Sequence, residues 1–206
     1  MPLIPRQPHS SCPSIFTEAL NPEVNLAVWE RQLPAHIQLF SQCVLATGQP
    51  LTESRVIDIH EDHPLLLTGL AQGFADVEGH AGFVADVAWL AQAYACLTGA
   101  TRVGLRLRTL SKAMCPRYHV DWVSLRLITT YAGVASQWLE EDAMPRTGLG
   151  DLAAEPQQAP RQLKAGDVAL FKGERWEGNE GRGIIHRSPP VESGEARLIM
   201  TLDWLK

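Results

Sequence analysis

Between Gly82 and Leu97 the apolar residues Phe83, Val84, Val87, Leu90, Ala91, Tyr94 and Ala95 recur at three- and four-residue intervals. That is the period of one helix face, and Gly99 stands where such a helix stops. Beyond Arg102 the period falls to two: Val103, Leu105 and Leu107 alternate with Gly104, Arg106 and Arg108, which predicts a strand. Further strands are expected at residues 119–130, 168–171, 183–187 and 197–204, divided by Pro- and Gly-rich connections. Residues 24–40 suit a second helical segment that Pro34 must end or kink. Residues 144–161 hold Pro145, Gly148, Gly150, Pro156 and Pro160 and read as a long loop, free to move or to cover a site.

Short strands without intervening helices imply an antiparallel sandwich or barrel. The expected class is therefore mainly β with N-terminal helices (α+β). Residues 1–100 form an N-terminal extension and helical region packing on the barrel, and residues 101–206 form the barrel itself. A chain of 206 residues is long enough to bury about two-thirds of its unfolded surface.

Composition narrows the choice of partners. The chain is 45% hydrophobic and 20% charged, close to the globular average. Its net charge is -5 with Lys and Arg scattered, so there is no basic stripe for nucleic acid. Charges, Gly and Pro interrupt every apolar run, which argues against a membrane span. The first sixteen residues lack the apolar run of a secretory signal, so the cytoplasm is the expected compartment. Cys12, Cys43, Cys96 and Cys115 form no CxxC pair, which argues against a zinc ribbon and a disulfide framework.

Chemistry enters at CPRYHVDWVSLRL, where His119 and Asp121 are two residues apart. On a strand, alternate side chains share a face, so an imidazole and a carboxylate at this spacing converge on one ion. His186, in GRGIIHRSPP, belongs to another predicted strand and would supply a third ligand. Two His and one carboxylate on one face of an ion leave the opposite face open, the arrangement of non-haem Fe(II) oxygenases. The spacing alone is weak, because DIHEDHP repeats it: His60, Asp62 and His63, with Asp58 nearby, read as a solvated turn or as a second metal site. What separates the two matches is the segment after AGDVALF, where a Gly-rich loop leads to His186 and a turn leads to Arg197. A guanidinium there would hold a dicarboxylate whose other end chelates the metal. The plain alternative is a satisfied core histidine, with Arg197 paired to an acid such as Glu140.

The order His119-x-Asp121, His186, Arg197 resembles the Fe(II)/2-oxoglutarate oxygenase superfamily over residues 100–206. The resemblance implies a double-stranded β-helix of jelly-roll or cupin-like form. It implies Fe(II) held by His119, Asp121 and His186, and 2-oxoglutarate with its distal carboxylate on Arg197, with Tyr131 as a looser second contact. Ile199 stands where many of these oxygenases carry Ser, a departure that bears on the cosubstrate. The wording of CPRYHVDWVSLRLITTY and FKGERWEGNEGRGIIHRSPP also resembles a bacterial family labelled only as a domain of unknown function, number 1826. That second resemblance covers nearly the whole chain and implies no assigned activity, although an association of such proteins with zinc homeostasis offers the alternative of a non-catalytic, zinc-handling protein on the same barrel. Cys115 belongs to that alternative: as a fourth ligand it would close the site and favour Zn(II), while the plain reading is a small buried residue at a turn. Arg126 and Arg187 adjoin the expected site, and contact with a substrate anion is one use for them. The substrate, small molecule or protein, is not legible.

Overall fold

The computed structural model describes residues 4–60 and 63–205. In chain order its elements are β1 (His9–Ser10), β2 (Leu26–Trp29), α1 (Ala35–Ala46), β3 (Thr52–Asp58), α2 (His80–Thr98), β4 (Arg102–Leu110), β5 (Leu125–Ala132), β6 (Gln137–Trp138), β7 (Arg161–Gln162), β8 (Val168–Lys172), β9 (His186–Arg187) and β10 (Arg197–Leu205). Short 3-10 turns accompany them, the longest at Pro13–Leu20.

Seven strands form one sheet in the order β1-β2-β8-β5-β10-β4-β3, and three form a smaller one in the order β7-β6-β9. From β4 onward the chain passes back and forth between the two sheets, the path of a jelly roll. Among the described residues no hydrogen-bonded ladder joins the sheets into a closed barrel, so the jelly roll is an open sandwich. The first hundred residues do more than pack on this framework: β2 pairs with β8 and β3 with β4, so both are strands of the large sheet.

The sequence of β10 shows how the layers are held. Leu198, Met200 and Leu202 point into a core shared with Phe40 of α1 and Phe83, Val87, Leu90 and Tyr94 of α2. Ile199, between them in sequence, points to the other side, where Ile128, Ala169 and Phe171 meet Trp138, Leu163 and Ile184 from the small-sheet side. A strand covered on both faces must be apolar at nearly every position.

Helix α2 begins and ends close to the predicted bounds, and Gly99 supplies the left-handed residue that stops it (φ 68°). Its 19 residues have a mean hydropathy of 1.2, enough by length and composition for a membrane span, yet one face packs against the sheet. Residues 24–40 differ from expectation: Leu26–Trp29 is a buried strand, and helix α1 starts only after Pro34, which takes its N-cap position. A short apolar run fits a buried strand as well as a helix, and Pro34 is a start signal here because its missing N–H costs nothing at a helix entrance. The strand expected from residue 119 begins at Leu125; before it, His119 makes only an isolated bridge.

Candidate metal centre

His119 sits where the chain crosses towards the small sheet, and His186 opens β9. The two residues exchange both backbone hydrogen bonds, each 3.0 Å, so they are directly paired although 67 positions apart. Asp121 lies two residues further along, ahead of β5. One possible ligand atom from each of His119, Asp121 and His186 lies within 4.8 Å of the others. The Asp121 oxygens are 3.8 Å from His119 Nε2 and 3.4 Å from His186 Nε2.

Both imidazoles are oriented by backbone carbonyls. His119 Nδ1 lies 2.9 Å from the carbonyl oxygen of Arg117, and His186 Nδ1 lies 3.0 Å from that of Ile184. A carbonyl oxygen can only accept, so each Nδ1 carries the hydrogen and each Nε2 turns a lone pair towards Asp121. Phe171 packs edge-on against the His186 ring with centroids 4.7 Å apart.

Arg126 holds the carboxylate. Its Nη1 donates to Asp121 Oδ2 at 2.7 Å, while Nε and Nη2 donate to Asp203 at 2.7 and 3.1 Å. Burial opposes ionisation of Asp121, but the neighbouring His186, with Arg126 and His119, outweighs it and holds the carboxyl well below the usual range. For His119, burial and the neighbouring His186 push the imidazole down, so it stays neutral at lower pH than an exposed histidine. An ionised carboxylate beside an imidazole that resists protonation suits a divalent metal, whose ligands must be deprotonated.

The segment bearing Asp121 is clamped from the other side. Glu174 N donates to Asp121 O (3.0 Å), Arg175 N to Val123 O (3.1 Å) and Gly173 N to Ser124 O (3.0 Å). At Gly173 a Cβ would collide with the carbonyl oxygens of Val123 and Asp121, so this approach demands glycine. Residues 144–161 are tied to the same region: Gly150 N donates to Tyr118 O (2.9 Å), and Met144 is buried with Tyr118 and Ile185.

Arg197 is 1% exposed, yet forms no ion pair among the described residues. Nη1 donates to Val134 O (3.3 Å) and Nη2 to Ser188 Oγ (3.1 Å), while Nε is buried without a partner. Burial lowers its pKa to about 10. The pairing with Glu140 does not occur, because Glu140 is engaged by Arg161. A buried guanidinium with an unused donor is what a carboxylate ligand requires.

Two expectations fail. Tyr131 lies on the helix-facing side of β5 with Leu125 and Leu127, where its hydroxyl donates to Asp86 (2.7 Å) and its ring meets Phe83. It points away from the triad, because side chains alternate across a strand and its parity is that of the helical core. Cys115 is exposed and does not join the three-donor group. Its carbonyl accepts from Ser188 N (2.9 Å), which draws this segment past His186 towards Arg197 and leaves the closed four-ligand site unformed. Of the other cluster, Asp62 lies outside the described residues, while His60 and His63 are exposed. Arg187 stacks over Tyr118 at 4.3 Å and donates to Gln137 (2.8 Å), a packing role.

Sequence reasoning missed Asp203 and Gly173. Asp203 is one acid in an apolar strand, a signal that was legible; Gly173 announces itself only through the backbone opposite.

Comparison with solved structures finds a Pseudomonas putida prolyl-4-hydroxylase, 12% identical, covering 94% of this chain and 97% of that one, with a TM-score of 0.47. A putative 2OG-Fe(II) oxygenase family protein from Caulobacter crescentus is 14% identical, covers 98% and 86%, and has a TM-score of 0.46. The dioxygenase for auxin oxidation 1 from Arabidopsis thaliana, in complex with 2-oxoglutarate, is 12% identical over 84% and 73%, with a TM-score of 0.42. No curated protein matches. Residues 10–203 match the family described as Protein of unknown function (DUF1826), and the chain belongs to that family.

Proposed function

We propose that this protein is a non-haem Fe(II)/2-oxoglutarate-dependent oxygenase. One observation carries the reading: two imidazoles and a carboxylate converge, and Ser188, two residues beyond His186, is hydrogen-bonded to a fully buried arginine that has no acidic partner among the described residues. The donor set fits Fe(II): two nitrogens and an oxygen suit it, and three ligands leave coordination positions free. His119, Asp121 and His186 would hold the ion. When bound, Fe(II) with 2-oxoglutarate supplies oxidative decarboxylation coupled to oxidation of a substrate C–H bond.

The chain's own residues prepare that chemistry. The carbonyls of Arg117 and Ile184 fix both imidazoles with Nε2 forward, and Arg126 keeps one Asp121 oxygen engaged so that the carboxylate cannot rotate freely. Arg197 would take the distal carboxylate of the cosubstrate through Nε, with Ser188 bracing Nη2. Ile199, Ile128 and Phe171 give the interior between the sheets an apolar lining that limits water.

The test is anaerobic addition of Fe(II) and then 2-oxoglutarate to folded protein. The expected result is a metal-to-ligand absorption band that Arg197→Gln weakens without lowering iron content. Retention of zinc with no spectral or calorimetric response to 2-oxoglutarate would overturn the reading.

A further inference from the structure

Beside the triad lies a second basic feature that the proposed roles leave unused. A cleft of about 220 Å³ opens on the inner face of β4, β10 and β5, lined by Arg106, Arg108, Met114, Arg126, Ile199 and Thr201. Strand register places Arg108 across from Ile199 and Arg106 across from Thr201, so these four side chains form one patch.

The charges in the cleft do not balance. Arg126 is committed to Asp121 and Asp203, and Arg106 shares Asp203 through Nη1 at 2.9 Å. Arg108 has no acid within ion-pair distance among the described residues, and its Nε is shielded from solvent without a hydrogen-bond partner. Three guanidiniums therefore face two carboxylates, one of them a proposed metal ligand. A shielded cation with a free donor in a concave, partly apolar site recruits an oxyanion, because a planar guanidinium matches a carboxylate or phosphate edge.

We infer that this cleft is the substrate's anion subsite, with Arg108 binding a carboxylate or phosphate group and Ile199 and Met114 covering the adjoining carbon. The inference rests on the oxygenase reading for the word substrate, but the anion site itself stands on the cleft alone. Its position separates it from the cosubstrate: Arg197 is enclosed two residues before Ile199, whereas Arg108 lines an open cleft that reaches the triad through Arg126. The cleft is smaller than a typical ligand cavity of roughly 300–1,000 Å³, which suits a head group rather than a whole substrate.

The test uses full-length, metal-free protein labelled with nitrogen-15 and titrated with propionate, inorganic phosphate and uncharged propionamide, following the Arg108 Nε–H resonance. Propionate or phosphate should shift it and propionamide should not; the stronger of the two anions identifies the head group. Read on the backbone amides of β4 in the same titrations, Arg108→Met should weaken that binding by at least about tenfold and Arg108→Lys by less. With Fe(II) added, Arg108→Met should leave the 2-oxoglutarate absorption band intact. No shift with either anion overturns the proposal, and so does loss of the band in Arg108→Met, which would assign Arg108 to the cosubstrate. A missing band in the unmodified protein would instead remove the oxygenase reading and leave the Arg108 titration standing.

Discussion

His119 and His186 pair backbone to backbone, N to O at 3.0 Å in both directions, with ring centroids 4.4 Å apart. The proposed metal site is thus built on a cross-strand backbone contact. Ring position follows from main-chain pairing, and the third donor is brought in by the short segment to Asp121.

Replacing a ring leaves that pairing intact. His119→Ala, Asp121→Ala and His186→Ala are each expected to reduce bound metal at least about tenfold while the far-ultraviolet spectrum is unchanged. Cys115→Ala should retain metal at the level of the unmodified protein. Elemental analysis after desalting checks both, and metal loss in Cys115→Ala would reinstate the closed site.

Arg126 neutralises two carboxylates that are each about one-tenth exposed. Arg126→Met leaves Asp121 without a guanidinium partner and Asp203 with Arg106 alone, and should cost about 3 kcal/mol of stability, in line with breaking a buried ion pair. Metal affinity should fall about 10- to 100-fold as Asp121 loses its orientation. Chemical denaturation and metal titration read the two effects separately.

Gly173→Ala tests the clamp. The added methyl meets backbone rather than a flexible side chain, so the segment bearing Asp121 must move. A loss of about 1–3 kcal/mol is expected, together with weaker metal binding. An unchanged unfolding midpoint and affinity would show that Gly173 is not required for the close approach.

Arg197, proposed to take the cosubstrate carboxylate, is a buried charge without an ion pair among the described residues. Since burial lowers its pKa to about 10, the folded state disfavours its charge. Arg197→Met should therefore raise the stability of cosubstrate-free protein, by about 1 kcal/mol, while abolishing 2-oxoglutarate binding. Thermal unfolding with and without 2-oxoglutarate measures both.

Acid should destabilise the metal-free protein in a defined order. The imidazole of His119 is pushed below its ordinary value, so below about pH 6.5 the unfolded chain binds a proton that the folded one resists, and stability falls. Asp121, also depressed, adds a second loss beginning near pH 4, where its unfolded carboxylate protonates first. Urea midpoints in chelator at pH 7.5, 6.0 and 5.0 should fall for the unmodified protein and fall less for His119→Gln.

Local pattern determined much of this. The helix over α2 with its Gly99 stop, the alternation through β4 and the apolar runs of β8 and β10 are properties of neighbouring residues, and periodicity reports them directly. That His119, Asp121 and His186 come together was also expected from sequence, because this pair is followed by a His and an Arg on predicted neighbouring strands. Pairing and facing were decided elsewhere. Leu26–Trp29 became a strand because β8 offered it a buried edge, which a four-residue run cannot announce. Tyr131 turned to Asp86, and Cys115 passed the triad, because β5 parity and the Ser188 contact fixed their directions. Arg108 and Arg126 look alike in the sequence; only the third dimension gives one of them two carboxylates and the other none, because charge compensation depends on distances across strands.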